Sequence, residues 1–353
     1  MIRLLDLNEV SYLHSQTIYH AVAYCSTAAS PGTIIILRPK EPYVCIGYHQ
    51  LLEKVIDVDF CRQKDVPIIR REVGGGAVYL DNDQLFFQCI FPINKAPKRV
   101  DSLYKLFLKP AVNTYRRLGI DAYYRPVNDI QVDEKKICGT GAGRIEYASV
   151  VVGNLLFDFN YGEMARILCV SSEKFRDKIY DSMQLYLTTI RRELGYVPDQ
   201  ERTKDILIQE FEKLLGCSLY SGSLTSEEQH MLSIIDKKFT DPDWLHEKGG
   251  KLTNWIKISA DVNIMESRYK SPGGLIRIIL RLKGDTIDDV FISGDFAIQS
   301  METFSDLEDR LRGQPHEADL LLKTIESYYK DHSIESPGVT PEDILRVIMA
   351  EKT

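Results

Sequence analysis

Residues 70 to 81, Arg70-Arg71-Glu72-Val73-Gly74-Gly75-Gly76-Ala77-Val78-Tyr79-Leu80-Asp81, set three consecutive glycines just after a segment that ends in two arginines. Glycine in regular structure costs roughly 0.5–1 kcal/mol relative to alanine, so a run of three is an expensive way to make an ordinary turn. Without Cβ atoms, its backbone N–H groups can approach an anion or a flat group closely. The arginines would supply charge for the same anion. The segment therefore points to a binding turn at the end of the strand Val66-Pro67-Ile68-Ile69-Arg70; the plainer alternative is a tight hairpin with an exposed basic end.

A second stretch runs from Val127-Asn128-Asp129 through Lys136-Ile137-Cys138-Gly139-Thr140-Gly141-Ala142-Gly143-Arg144. Alternation on either side of Asp133-Glu134-Lys135 reads as a hairpin. If Ile137 faces the core, Lys136 and Cys138 share the opposite face. A lysine beside backbone N–H donors can stabilise charge developing on a phosphate or carbonyl oxygen, although a hairpin lysine is more often simply solvated. Arg144 stands where a dinucleotide fingerprint requires glycine, and no phosphate-binding G-x-x-x-x-G-K-[ST] loop occurs, so neither nucleotide motif is present.

Around these segments the pattern is mixed. A helix capped by Asp6 or Asn8 is expected to run to about Cys25. Strands are expected at Thr33–Leu37, Tyr43–Gly47, Gln84–Phe91, Ile130–Val132 and Ala148–Phe159, with one amphipathic helix from Asp101 to Gly119. Helices are expected at Gly162–Cys169, Lys174–Leu194 and Thr203–Leu215. The small, polar stretch Tyr220–Ser226 suggests a boundary. The last third contains a hairpin, Gly274–Leu282 and Thr286–Ile292, followed by three helices. The fold class is α+β: a mixed β-sheet with flanking helices over residues 1–228, then a small α+β accessory domain with its connecting segment over 229–353. Trp244 and Trp255 in the connection are expected to pack at the domain interface.

Composition narrows the function. With 44 basic and 51 acidic residues, a formal net charge of -7 does not support a broad nucleic-acid surface. No stretch reaches the roughly 18–20 apolar residues that cross a bilayer, and no signal-peptide pattern opens the sequence, so no membrane partner and a cytoplasmic location are expected. The 7 cysteines form no C-x-x-C pair and no zinc-type cluster with histidine.

In this order, the motifs resemble the lipoate-protein ligase A family and its relatives, the octanoyltransferases and biotin-protein ligases. The resemblance rests on Arg70-Arg71, Gly74-Gly75-Gly76-Ala77-Val78, Asn128-Asp129 and Lys136-Ile137-Cys138-Gly139, with Gly47-Tyr48-His49-Gln50 upstream and Gly294-Asp295-Phe296 near the end. It covers nearly the whole chain. The sequence departs from the family pattern at Glu72-Val73, Leu80, Gln84 and Val152, departures that bear on acyl chain and acceptor more than on fold.

The resemblance implies an ATP-dependent ligase that activates lipoate as lipoyl-adenylate and passes the lipoyl group to a lysine of an acceptor domain. That acceptor would be a glycine cleavage H protein, a 2-oxoacid dehydrogenase acyltransferase subunit or a dedicated lipoate-binding protein. Lys136 would be catalytic. Arg70, Arg71, Gly74, Gly75, Gly76, Ala77, Val78, Tyr79, Asn128, Asp129 and Gly139 would bind ATP and the adenylate, and Asp129 would meet the Mg2+ that accompanies ATP. The alternative is an ATP-independent octanoyl or lipoyl transferase working through a thioester on Cys138.

Overall fold

The computed structural model describes residues 2–170, 172–250, 262–298 and 303–350. Its centre is a six-stranded mixed sheet whose strands lie in the order Thr140–Ile145, Ala148–Leu156, Gln84–Pro92, Gly32–Pro39, Ile2–Val10, Leu219–Ser221. Ile2–Val10 pairs parallel with both its neighbours, and the remaining pairs are antiparallel. The central strand explains the layering. Ile34 and Ile36 face a core with Phe87, Phe107, Tyr115 and Phe211, whereas Ile35 and Leu37 face a second core with Ile18, Tyr19 and Val22. A strand buried on both faces sends alternate side chains into two layers, so its apolar run is continuous. Each buried isoleucine adds about 1.5–3 kcal/mol of hydrophobic stabilisation.

Two small sheets abut this one. One has the order Ile68–Arg70, Tyr43–Ile46, Val78–Leu80; the other has the order Tyr123–Arg125, Asp129–Val132, Lys135–Cys138. Lys135–Cys138 runs through Gly139 directly into the edge strand of the large sheet, and Val78–Leu80 leads into Gln84–Pro92. Both motif segments are thereby carried to the same side of the sheet.

The expected helix from Asp6 or Asn8 is corrected: residues 2–10 are a strand, and the helix is His14–Tyr24. Polar residues at 6 and 8 imitate a helix cap, but Ile2–Val10 gains ladder partners on both sides from remote segments. Asn8, at φ 52°, lies where the register shifts between Asp6 and Glu9. The expected single helix from Asp101 to Gly119 is two, Val100–Phe107 and Lys109–Arg117. Pro110, which has no N–H to donate to the preceding turn, sits in the first turn of the second. Likewise Lys174–Leu194 divides into Glu173–Tyr186 and Ile190–Leu194, the latter capped by Thr189.

The C-terminal part is a three-stranded antiparallel sheet, Val262–Ser271, Gly274–Lys283 and Thr286–Gly294, with its own core of Ile276, Ile278, Ile292, Phe304, Ile325 and Val347. A division between residues 228 and 229 falls inside the helix Ser226–Phe239, whose Ile235 and Phe239 pack into the core around Ile18 and Val22. Trp244 stacks on Phe239 at 5.7 Å and donates from Nε1 to the Arg70 carbonyl at 2.9 Å. Trp255 lies outside the described residues. The C-terminal sheet docks on the first part through Leu51 against Ile279 and Phe291. Backbone bonds from Gly294 N to His49 O (3.0 Å) and from Gly75 N to Phe296 O (3.1 Å) reinforce that contact. Among the described residues no helix is long and apolar enough to cross a membrane.

Candidate active site

A cleft of about 640 Å³ opens where the two small sheets meet the accessory sheet. Of the residues expected in a site, Arg71, Gly75, Gly76, Ala77, Val78, Tyr79, Asn128, Asp129, Lys136 and Gly139 line it. Arg70, Gly74 and Cys138 do not. From the accessory part come Lys270, Pro272, Gly273, Gly274 and Asp295.

The arginine pair is turned onto its own chain. Arg70 is fully buried, and its guanidinium donates to the carbonyls of Tyr48 (2.7 Å), Gln50 (2.7 Å) and Leu245 (2.8 Å). Arg71 donates to the carbonyls of Cys45 (3.2 Å), Gly74 (2.9 Å) and Gly76 (2.9 Å). Five N–H donors on a rigid fork suit them to gather several carbonyls at once. They set the glycine turn's shape. The glycines answer to contact as well as conformation: a Cβ on Gly74 would lie 2.3 Å from the Phe296 carbonyl oxygen, and Gly75 sits at φ 102°. One N–H of the turn, that of Gly75, is thus already engaged by the accessory domain.

Lys136 is different. Its Nζ pairs with Asp129 Oδ1 at 2.8 Å, and its side chain remains about one-third exposed, at 34%. The turn before it has Asp133 at φ 45° and Glu134 at φ 65°, the left-handed pair of a two-residue hairpin turn. That turn fixes the register that sets Lys135 opposite Val132 and Lys136 opposite Gln131, two residues from Asp129.

Cys138 does not share a face with Lys136. A bulge breaks the alternation: Ile130 pairs with Cys138 and Gln131 with Lys136, leaving Ile137 as the extra residue. Ile137 and Cys138 are both fully buried in one core. The thiol donates to the Gly139 carbonyl at 3.3 Å, and burial pushes it up to about 12. It is a packed side chain, not a poised thiolate.

The sequence departures fit together. Glu72 turns away from the cleft into the layer beneath, where its buried carboxylate meets Lys238 Nζ at 2.5 Å and Tyr24 OH at 3.1 Å. Val73 and Val152 pack where Gly141 and Gly143 leave room: a Cβ on Gly143 would lie 3.1 Å from Val73 Cγ1, and one on Gly141 would lie 3.2 Å from Val152 Cγ2. The additional glycines therefore match the larger side chains opposite.

Sequence reasoning missed Asn154 as a site residue. Its Oδ1 accepts the Gly139 N–H at 2.7 Å and its Nδ2 donates to Gln84 Oε1 at 2.7 Å, pinning the strand junction below Lys136. It also missed a side pocket of about 80 Å³ that shares Arg71, Val78, Leu80, Gly139, Thr140 and Asn154 with the cleft. Lys270 and Asp295 were missed as well; no local pattern signals them, since only docking of the accessory sheet brings them to the cleft.

A small-sheet cleft with a hairpin lysine, roofed by a C-terminal domain, is a biotin/lipoate ligase-like fold. The model for "Lipoyl protein ligase A/B catalytic domain" matches residues 13–212, and that for "Bacterial lipoate protein ligase C-terminus" matches residues 260–348. The chain belongs to the lipoyl protein ligase A/B family and is an enzyme of the lipoate-protein ligase type. It is 25% identical over 332 residues to lipoate-protein ligase LplJ of Bacillus subtilis, covering 92% of this chain and 94% of that one. It is 23% identical over 270 residues to octanoyltransferase LipM of Kyrpidia tusciae, covering 70% of this chain and 98% of that one. Among solved structures it resembles the bipartite lipoate protein ligase of Thermoplasma acidophilum, described together with its E2 lipoyl domain. The TM-score is 0.64 and the identity 26%, over 69% of this chain and 96% of that one.

Proposed function

We propose that the chain activates lipoate with ATP and transfers the lipoyl group to a lysine of an acceptor domain, working in the cytoplasm, where ATP is held. The observation that carries this reading is the Lys136–Asp129 pair beside Asn128 on the cleft wall. In the first step a lipoate carboxylate oxygen attacks the α-phosphorus of ATP, the bond to the β-phosphate oxygen breaks, and pyrophosphate leaves. Charge grows on the α-phosphate oxygens, and an ammonium held beside them stabilises it without reorganising. Asp129 orients that ammonium. In the second step the acceptor's amine nitrogen attacks the acyl carbon, the bond to AMP breaks, and the amine loses a proton.

The residues fit a magnesium ion brought by the nucleotide. Mg2+ usually takes one or two carboxylates plus substrate phosphates, and the cleft offers Asp129 and Asp295. Among the described residues no group of three or more metal-binding side chains forms a cage. Bound there, the ion would neutralise phosphate charge. A lipoyl domain of the E2 type, a glycine cleavage H protein or a dedicated lipoate-binding protein suits the second step; the Thermoplasma ligase, described with an E2 lipoyl domain, supports the first of these.

A transferase reading has support in the likeness to an octanoyltransferase. It requires an accessible thiolate, however, and Cys138 is buried with its thiol pushed up to about 12. The accessory domain, at residues beyond those a catalytic domain alone would need, also favours the ligase. The deciding experiment follows pyrophosphate release from ATP with and without lipoate, then lipoyl transfer to an acceptor domain. Lipoate-dependent release is expected; acyl transfer between carriers without ATP would replace this reading with the other.

A further inference from the structure

The side pocket that branches from the cleft is lined, beyond the six shared residues, by Gln16, Tyr19, Cys45, Phe86, Gln88 and Val152 among others. Most of this wall is apolar and buried, as suits an acyl chain. Two of its polar atoms do not fit a plain hydrocarbon occupant. The Tyr19 hydroxyl and Gln88 Oε1 are buried and have no hydrogen-bond partner among the described residues. The orientation of the Gln88 amide is settled by chemistry: its Nε2 donates to the Ser15 carbonyl at 2.8 Å, and a carbonyl only accepts, so the other end is the oxygen. Gln16 and Tyr43, by contrast, satisfy each other through Gln16 Nε2 and Tyr43 OH at 2.7 Å. An unpaired buried polar atom is costly, and such atoms concentrate where a ligand completes the set.

We propose that the far end of this pocket selects acyl chains bearing sulfur on their distal carbons over the bare eight-carbon chain, with Tyr19 and Gln88 as the specificity-determining residues. The inference rests on the lipoyl-activating reading above. Sulfur is a weak acceptor that the Tyr19 O–H can meet, and a thiol S–H is a weak donor for Gln88 Oε1. Octanoate offers neither, so on binding it leaves both polar atoms buried and unpaired. The cyclic disulfide satisfies the tyrosine alone, whereas the open dithiol satisfies both.

The test compares kcat/KM for adenylation of lipoate, its reduced dithiol form and octanoate in wild type, Tyr19→Phe and Gln88→Met. Wild type should favour lipoate over octanoate by about tenfold, in line with about 1–3 kcal/mol for a buried group left unpaired, taken at its low end because sulfur bonds are weak. Each variant should bring that ratio toward one. The extra preference for the dithiol should vanish in Gln88→Met and persist in Tyr19→Phe. A wild-type ratio near one, or a wild-type ratio retained in both variants, overturns the inference while leaving lipoate activation standing. A wild type that activates none of the three acids removes the lipoyl-activating reading and the inference together. Should the variants fail to fold, wild-type melting decides: lipoate should raise Tm more than octanoate at equal concentration, and equal shifts would sink the proposal.

Discussion

The arginine pair and the hairpin lysine look alike in sequence, basic residues beside glycines, yet the structure uses them oppositely. Arg70 and Arg71 are buried and spend their donors on backbone carbonyls of the turn they hold. Lys136 has a single carboxylate partner and stays partly open to the cleft. A cation whose hydrogen bonds are filled by its own chain shapes a site. One held by a single anchor at a cleft wall is available to a substrate.

Substituting each in turn should separate those roles. Arg70→Met orphans the Tyr48, Gln50 and Leu245 carbonyls, each costing about 1–3 kcal/mol when buried, so a total loss of about 3 kcal/mol or more is expected in urea unfolding. A loss under about 1 kcal/mol would mean that Arg70 is not scaffold. Lys136→Ala should leave the unfolding midpoint nearly unchanged and lower lipoate-dependent pyrophosphate release at least about a hundredfold, the usual scale for one preorganised electrostatic donor. Wild-type release from this variant would erase the contrast between the two cations.

Glu72→Gln probes the layer beneath the glycine turn. Lys238 is about one-third exposed, at 34%, so the pair is partly screened and a loss of about 1–2 kcal/mol is expected by thermal melting, with little change in KM for lipoate. A large rise in KM instead would show that Glu72 reaches the cleft chemistry. Next to it, burial holds the His20 imidazole below its ordinary value of about 6.5. The unfolded chain therefore takes up a proton that the folded one refuses. Stability should be free of this penalty above pH 6.5 and fall as the pH drops below it, by at most about 1.4 kcal/mol per pH unit, until the folded-state value is reached. His20→Gln should flatten that part of the curve; an unchanged slope would assign the acid sensitivity to other groups.

The smallest effect belongs to Cys138→Ser. A serine hydroxyl can donate to the Gly139 carbonyl as the thiol does, so activity should stay within a few-fold and stability should fall by about 1 kcal/mol. A dead serine variant, with an acyl-thioester trapped on the wild type, would return the cysteine to the chemistry.

What the sequence by itself determined is local. The glycine run, Asn128-Asp129 and Lys136 could be read as cleft residues because their spacing places them at strand ends and turns. The buried strand Gly32–Pro39 was legible because apolar side chains entering two layers leave an unbroken run. Tertiary structure decided everything that depends on partners far along the chain. Residues 2–10 became a strand because remote segments complete their ladders on both sides. Cys138 was buried by a one-residue bulge, which reverses the side-chain alternation that a regular hairpin would have kept. The arginines were claimed by carbonyls as far away as Leu245, and Gly74 was required by the approach of Phe296. Alternation and turn chemistry act over a few residues and can be read in one dimension, whereas hydrogen-bond saturation and close backbone approach depend on which surfaces finally meet.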